Sequence, residues 1–195
     1  LSLIFFKLDY SQTSIQNRIG ITFYLSINTF MSSVYGTLHT FFHKKTIFFR
    51  EYQSRWYNFN SYFISKIIAD MPLNLIISIL MTSIIYFWVG LQNNADKYFT
   101  FLGIIIMSTS CGNILGTFIS SLFDYFYIAM IFVPTIMMPM LLFSGFFVNN
   151  ETIPVYFDWI KYLSPIKYNF NALALNEFDG LKFECTNEEI NNDQC

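Results

Sequence analysis

Four stretches of this chain contain no Lys, Arg, Asp or Glu: residues 19–42, 71–95, 98–123 and 125–150. Each is longer than the roughly 20 residues that cross about 30 Å of hydrocarbon at about 1.5 Å per residue. Inside lipid a backbone must satisfy its own hydrogen bonds, so each stretch is expected to be a helix. The expected architecture is therefore all-α: a polytopic transmembrane bundle with spans at 17–41, 61–89, 97–121 and 125–147. The apolar run at 1–6 reads as the end of one more helix, and the whole as a piece of a longer polytopic protein.

Composition agrees. Of 195 residues, 54% are hydrophobic and 12% charged, against about 25% charged in an ordinary soluble domain. Disordered chains are charge-rich and poor in aromatics, whereas 21% of these residues are Phe, Trp or Tyr. The net charge of -2 provides no basic field for nucleic acid.

The few charges set an orientation. Between the first two full spans lie Lys44, Lys45, Arg50, Arg55 and Lys66 with a single acid before Lys66, Glu51. A short basic loop belongs on the cytoplasmic side, which places 43–66 inside and 148–195 outside or in a lumen. Residues 42–57 alternate aromatics with basic points and read as an amphipathic helix, able to lie at an interface or to dock on a partner. Lys66 is placed to pair with Asp70 four residues on, and Pro72 to kink the helix that follows. Gly112 and Gly116 have the spacing of a close helix crossing, with chance as the alternative. Pro134 and Pro139 should bend the fourth span.

The segment after residue 150 is too apolar around Ile153–Leu163 for a solvated loop and too short to span, which suggests re-entrant helices in an external loop, 148–195. Cys185 and Cys195 lie close together in a hydrophilic stretch, as a disulfide would in an oxidising compartment. Closing that loop would contribute roughly 3 kcal/mol. The alternatives are free thiols or a bond to another chain. Asn150 opens the one glycosylation sequon, close to the membrane. His39 and His43 are four apart but lack a third ligand, so they read as polar residues at the membrane boundary. Phosphate-loop, HExxH, CxxC and GxSxG motifs are all missing, so no catalytic role is expected for this stretch of chain.

Several phrases in order carry a resemblance: Ser14-Ile-Gln-Asn-Arg18-Ile-Gly20, Glu51-Tyr52, Ser61-Tyr-Phe63, Lys66, Asp70-Met-Pro72, Phe143-Ser-Gly145, Tyr162-Leu-Ser-Pro-Ile-Lys-Tyr168, Ala172-Leu and Asn176-Glu-Phe. Together they resemble the membrane domain of the G subfamily of ATP-binding cassette transporters, the White and breast cancer resistance protein type. The resemblance implies an exporter of lipid, sterol, drug or pigment working by alternating access. It also implies a nucleotide-binding domain on the same full-length chain, with ATP and Mg bound there, and a second half-transporter completing a homo- or heterodimer. By position it assigns Tyr24, Asn28, Met31, Met138 and Leu141 to a substrate cavity. Phe146 and Phe147 fall on an external gate. Lys44, Lys45, Arg50, Glu51 and Tyr52 fall on a cytoplasmic coupling helix. Leu38 stands where some members have a glutamate. A non-transporting membrane scaffold or receptor-like subunit and a polysaccharide exporter are the competing expectations.

Overall fold

In the computed structural model, residues 13–54, 59–92, 94–146 and 162–180 are described, and every regular element among them is an α-helix. Five helices follow in order: α1 Thr13–Gln53, α2 Phe59–Val89, α3 Ala95–Leu122, α4 Phe126–Leu142 and α5 Pro165–Phe178. An all-helical bundle is what the charge gaps demand.

The central element is α1, 41 residues long, or about 62 Å at 1.5 Å per residue. That is twice the thickness of the hydrocarbon core. The change from apolar to amphipathic pattern near residue 42 does not break it, because neither Pro nor Gly occurs there. Its hydroxyls satisfy themselves on the preceding turn: Thr22 donates to the Arg18 carbonyl and Thr29 to that of Leu25, both at 2.7 Å. A polar residue so bonded costs little in lipid.

Two apolar cores lie along α1. One joins Phe30, Val34 and Leu38 to Ile119 of α3, Ala129, Val133 and Met137 of α4, and Ile166 of α5. The other joins Ile21 and Leu25 to Tyr86 and Val89 of α2, Phe101 and Ile105 of α3, and Leu173 of α5. Spacings of three and four place each set on one helical face.

The closest packing is between α1 and α3. A Cβ on Gly112 would stand 2.9 Å from the Phe30 carbonyl oxygen, and one on Gly116 2.8 Å from that of Val34. Both glycines are buried. The small-residue spacing is therefore a real crossing, and a side chain at either position would push the backbones apart.

The helix α2 buries only a narrow stripe, including Ser78, Thr82, Tyr86 and Val89, and exposes Ile68, Leu73, Ile76, Leu80, Ile84 and Phe87. Lipid tolerates such a surface and water does not. By length and composition, Ile64–Val89 and Ala95–Leu122 are each able to cross a membrane. The apolar α4 has 17 residues, about 25 Å. It ends at Leu142, short of the expected 147, because the chain turns there: the Ser144 N–H bonds the Leu141 carbonyl, and Gly145 takes φ 93. The end of α2 is closed by Gly90 at φ 72, with the Leu91 N–H on the Tyr86 carbonyl, a Schellman closure. The start of α5 is fixed by Ser164, whose Oγ accepts from the Lys167 N–H and donates to the Met140 carbonyl at 2.8 Å.

Candidate functional site

A groove of about 760 Å³ opens between α1, α2 and α3. From α1 it is lined by Tyr24, Asn28, Ser32, Ser33, Thr37 and Lys44, from α2 by Asp70, Leu73, Ile77, Ser78, Met81 and Thr82, and from α3 by Phe101, Ile105 and Thr109. Hydroxyls and amides thus face apolar walls. Asn28 Nδ2 donates to the Tyr24 hydroxyl at 2.8 Å, one helical turn away. Deeper in, the Ser33 hydroxyl reaches both the Thr109 carbonyl and Asn113 Oδ1 at 2.6 Å, and Thr37 donates to the same Oδ1 at 2.7 Å. These bonds tie the polar wall to α3 beside the glycine crossing. Sequence reasoning missed them: the hydroxyls on α1 were visible, but not Asn113, eighty residues away.

Of the five expected cavity residues, the groove brings together Tyr24 and Asn28. Met31 packs against the core shared with α3 and α4. Met138 is exposed and Leu141 half-buried on α4, and neither lines the groove within one chain. Phe146 of the expected gate stacks on Phe23 at 4.1 Å and 11°, and Phe170 of α5 meets Phe23 and Phe146 edge-on at 5.3 and 6.0 Å. Phe147, Asn150, Cys185, Cys195 and the expected helix end at 1–6 lie outside the described residues.

At the other end of the bundle, adjacent lysines reach in different directions. Lys44 approaches Asp70 of α2 at 3.7 Å. Lys45 donates to Asp124 at 2.9 Å and to the Phe123 carbonyl at 3.1 Å, so a cation sits at the C-terminus of α3, where it is favoured. Asp70 therefore faces Lys44, and the expected Lys66–Asp70 bridge is replaced by Lys66 Nζ lying 4.2 Å from the Phe41 ring centroid. Arg50, Glu51 and Tyr52 occupy the last turn of α1, with Tyr52 stacked on Phe48.

Opposite the lysines, a polar clasp binds α5 to the rest. Arg18 and Glu177, both buried, form an ion pair at 2.5 Å. Gln92 Nε2 donates to the Glu177 carbonyl at 2.9 Å, and Asn176 Nδ2 to the Lys97 carbonyl at 3.0 Å. Lys97 bridges Asp179 at 2.8 Å. Burial pushes the Glu177 carboxyl above the usual carboxylate range, while the Arg18 guanidinium pulls it back by charge and hydrogen bond. Lys97 holds the exposed Asp179 carboxyl below that range. A single charge at the head of a charge-free stretch asks for a partner, which was the one available sign of Arg18's role.

Comparison with known proteins gives a consistent set of likenesses. The chain matches the ABC-2 type transporter family over residues 1–178. It is 32% identical to Protein white of Ceratitis capitata over 182 residues, 93% of this chain and 27% of that protein. It is 33% identical to the broad substrate specificity ATP-binding cassette transporter ABCG2 of Mus musculus over 184 residues, 94% of this chain and 28% of that protein. To ABC transporter G family member 7 of Arabidopsis thaliana it is 30% identical, covering 94% of this chain and 25% of that protein. The chain thus spans about a quarter of the length of the curated relatives it matches.

Proposed function

The chain belongs to the ABC-2 type transporter family, as a membrane domain of the G-subfamily type, and we propose that it is the membrane-spanning part of an ATP-driven exporter. Its substrates are apolar or amphipathic, and it moves them by alternating access. The observation that carries this reading is the continuity of α1. One unbroken helix holds Lys44 and Lys45 near one end, Tyr24 and Asn28 in the groove, and Arg18 in the clasp. A rigid rod of that length carries a displacement applied at its basic end to the groove and to α5.

The basic end, 43–66, lies in the cytoplasm and receives force from a nucleotide-binding domain of the full-length chain. Residues 148–195 lie on the opposite side. This chain supplies no phosphate loop, and no group of three or more His, Cys, Asp or Glu that could hold a metal ion occurs among its described residues. ATP and Mg are assigned to that nucleotide-binding domain, as the likeness to transporters of this type implies, and no step here runs through them. Within this chain, Lys44 passes motion to α2 through Asp70, and Lys45 passes it to the α3–α4 turn through Asp124. Tyr24 and Asn28 orient substrate by hydrogen bonds against apolar walls. Phe146, held by Phe23 and Phe170, closes the far end together with Phe147. A second half-transporter completes the cavity, and Met31, Met138 and Leu141 contribute to it from there.

Two substitutions in the reconstituted full-length protein test this. Glu51→Gln should leave assembly intact while separating ATP hydrolysis from transport; substrate-stimulated hydrolysis equal to the parent's would count against the coupling role. Asn28→Ala should change relative transport rates across a panel of amphipathic substrates by up to about tenfold, the upper end of what one hydrogen bond contributes. An unaltered panel would remove Asn28 from the path.

A further inference from the structure

On α1 the groove wall carries two rows of polar side chains. Tyr24, Asn28 and Ser32 follow one another at four-residue spacing, and beside them Thr29, Ser33, Thr37 and Thr40 at spacings of four, four and three. Residues so spaced are neighbours on a helix surface, and the second row covers about 16 Å of the helix. All seven line the groove, as does Thr109 of α3, whose carbonyl is bonded by Ser33. The second row is half-buried, so its oxygens are not sealed off from the groove.

The rows differ in where their protons go. A hydroxyl has one proton to give and two lone pairs, whereas a carbonyl oxygen only accepts. In the second row every proton is directed into the protein. Thr29 donates to the Leu25 carbonyl at 2.7 Å and Thr40 to that of Gly36 at 2.9 Å. Thr37 donates to Asn113 Oδ1 at 2.7 Å. The single proton of Ser33 goes to that same oxygen or to the Thr109 carbonyl, each 2.6 Å away. Thr109 gives its own hydroxyl proton to the Ile106 carbonyl at 2.9 Å. Lone pairs are what this wall has left to offer a ligand. In the first row Asn28 donates one amide proton to the Tyr24 hydroxyl. Beyond that bond Asn28 has a second N–H and Tyr24 its phenol proton.

We propose that this second row, centred on Thr37, is a subsite for a hydrogen-bond donor of the substrate, a hydroxyl or an amine, while acceptor groups of the substrate are met at Tyr24 and Asn28. The proposal rests on the groove being the substrate path, and adds the polar class that the path selects. An ether, ester or ketone placed on the row would set oxygen against oxygen with no proton between them. A carboxylate would do so with a full charge. Asn113 is not among the lining residues. It is a positioning residue, which holds the Thr37 proton on α3 and so keeps the hydroxyl an acceptor.

The test uses the complete protein in phosphatidylcholine nanodiscs, with photoactivatable 2-hexadecanol and 2-hexadecanone as probes. The two match in size and both accept a hydrogen bond, but only the alcohol donates one. The alcohol should bind about three- to tenfold more tightly, the range of one neutral hydrogen bond. Thr37→Val keeps the shape and removes the lone pairs, and should cut that preference to below about twofold; Thr37→Ser should keep it. Asn113→Leu should release the Thr37 proton toward the groove and strengthen ketone binding, a gain that misfolding cannot imitate. Equal binding of the two probes, a preference untouched by Thr37→Val, or no gain for the ketone in Asn113→Leu overturns the subsite. Cross-links from both probes to groove residues would in that case leave the groove standing as the path. If neither probe cross-links within the groove, the path and the subsite fall together.

Discussion

Glu177→Ala should destabilise the folded domain by about 3–5 kcal/mol, the usual cost of removing one partner from a buried ion pair. The carboxylate is 2% exposed and its guanidinium partner on Arg18 0% exposed, so water is not at hand to replace it. The same carboxylate accepts from the Gln92 N–H, and truncation frees that group as well. The loss should appear as a lowered midpoint of unfolding in detergent. It should also appear as raised protease sensitivity around α5, since Gln92, Lys97 and Asn176 hold that helix through the same clasp. The double variant Arg18→Met with Glu177→Leu should recover most of the midpoint, because apolar replacement of a whole buried pair is often neutral or stabilising. A double variant as unstable as the single one would mean that the pair does more than neutralise itself.

Gly116→Val should have the second large effect. The added Cβ would meet the Val34 carbonyl oxygen at 2.8 Å and the Thr37 Cβ at 3.1 Å. Backbone cannot rotate away as a flexible side chain can, so α1 and α3 must separate. Overpacking of this kind costs about 1–3 kcal/mol, and here it also pulls Ser33 and Thr37 off Asn113. Gly112→Val should behave alike, with 2.9 Å to the Phe30 carbonyl oxygen. The internal comparison is Gly103→Ala. A Cβ there meets nothing within 4 Å, and replacing a helical glycine by alanine should stabilise by up to about 1 kcal/mol. Equal losses at positions 103 and 116 in thermal unfolding would refute the close crossing.

The helices were legible because lipid leaves a backbone few choices, and long charge-free runs record that constraint directly. The glycine pair was legible as a spacing, though only the packing of α1 on α3 separates a crossing from chance. Helix ends were harder. The shift at residue 42 from an apolar to an amphipathic pattern looked like a boundary, yet no residue there stops a helix, and α1 continues to Gln53. The fourth span looked apolar to 147, but the Ser144-Gly145 turn ends α4 at Leu142.

For the site, Tyr24 and Asn28 came from the resemblance by position, and the fold adds that one helix sets them a turn apart in the same groove. Contacts made across the fold were not legible. Arg18 and Glu177 are 159 residues apart, Lys45 and Asp124 are 79 apart, and no local period links either pair. Lys66 shows the same limit from the other side. Its spacing from Asp70 favours a bridge on α2, but Lys44 of α1 takes the carboxylate once the two helices pack.

The central claim is that the lysine end and the clasp end of this bundle face opposite sides of a membrane. Asp124 and Asp179 mark those ends, and their side chains are 90% and 80% exposed. With single cysteines placed at 124 and at 179 in the otherwise cysteine-free full-length protein, a membrane-impermeant maleimide applied to intact cells should modify position 179. Position 124 should react only after the membrane is opened. Modification of both positions from the same side would contradict the account.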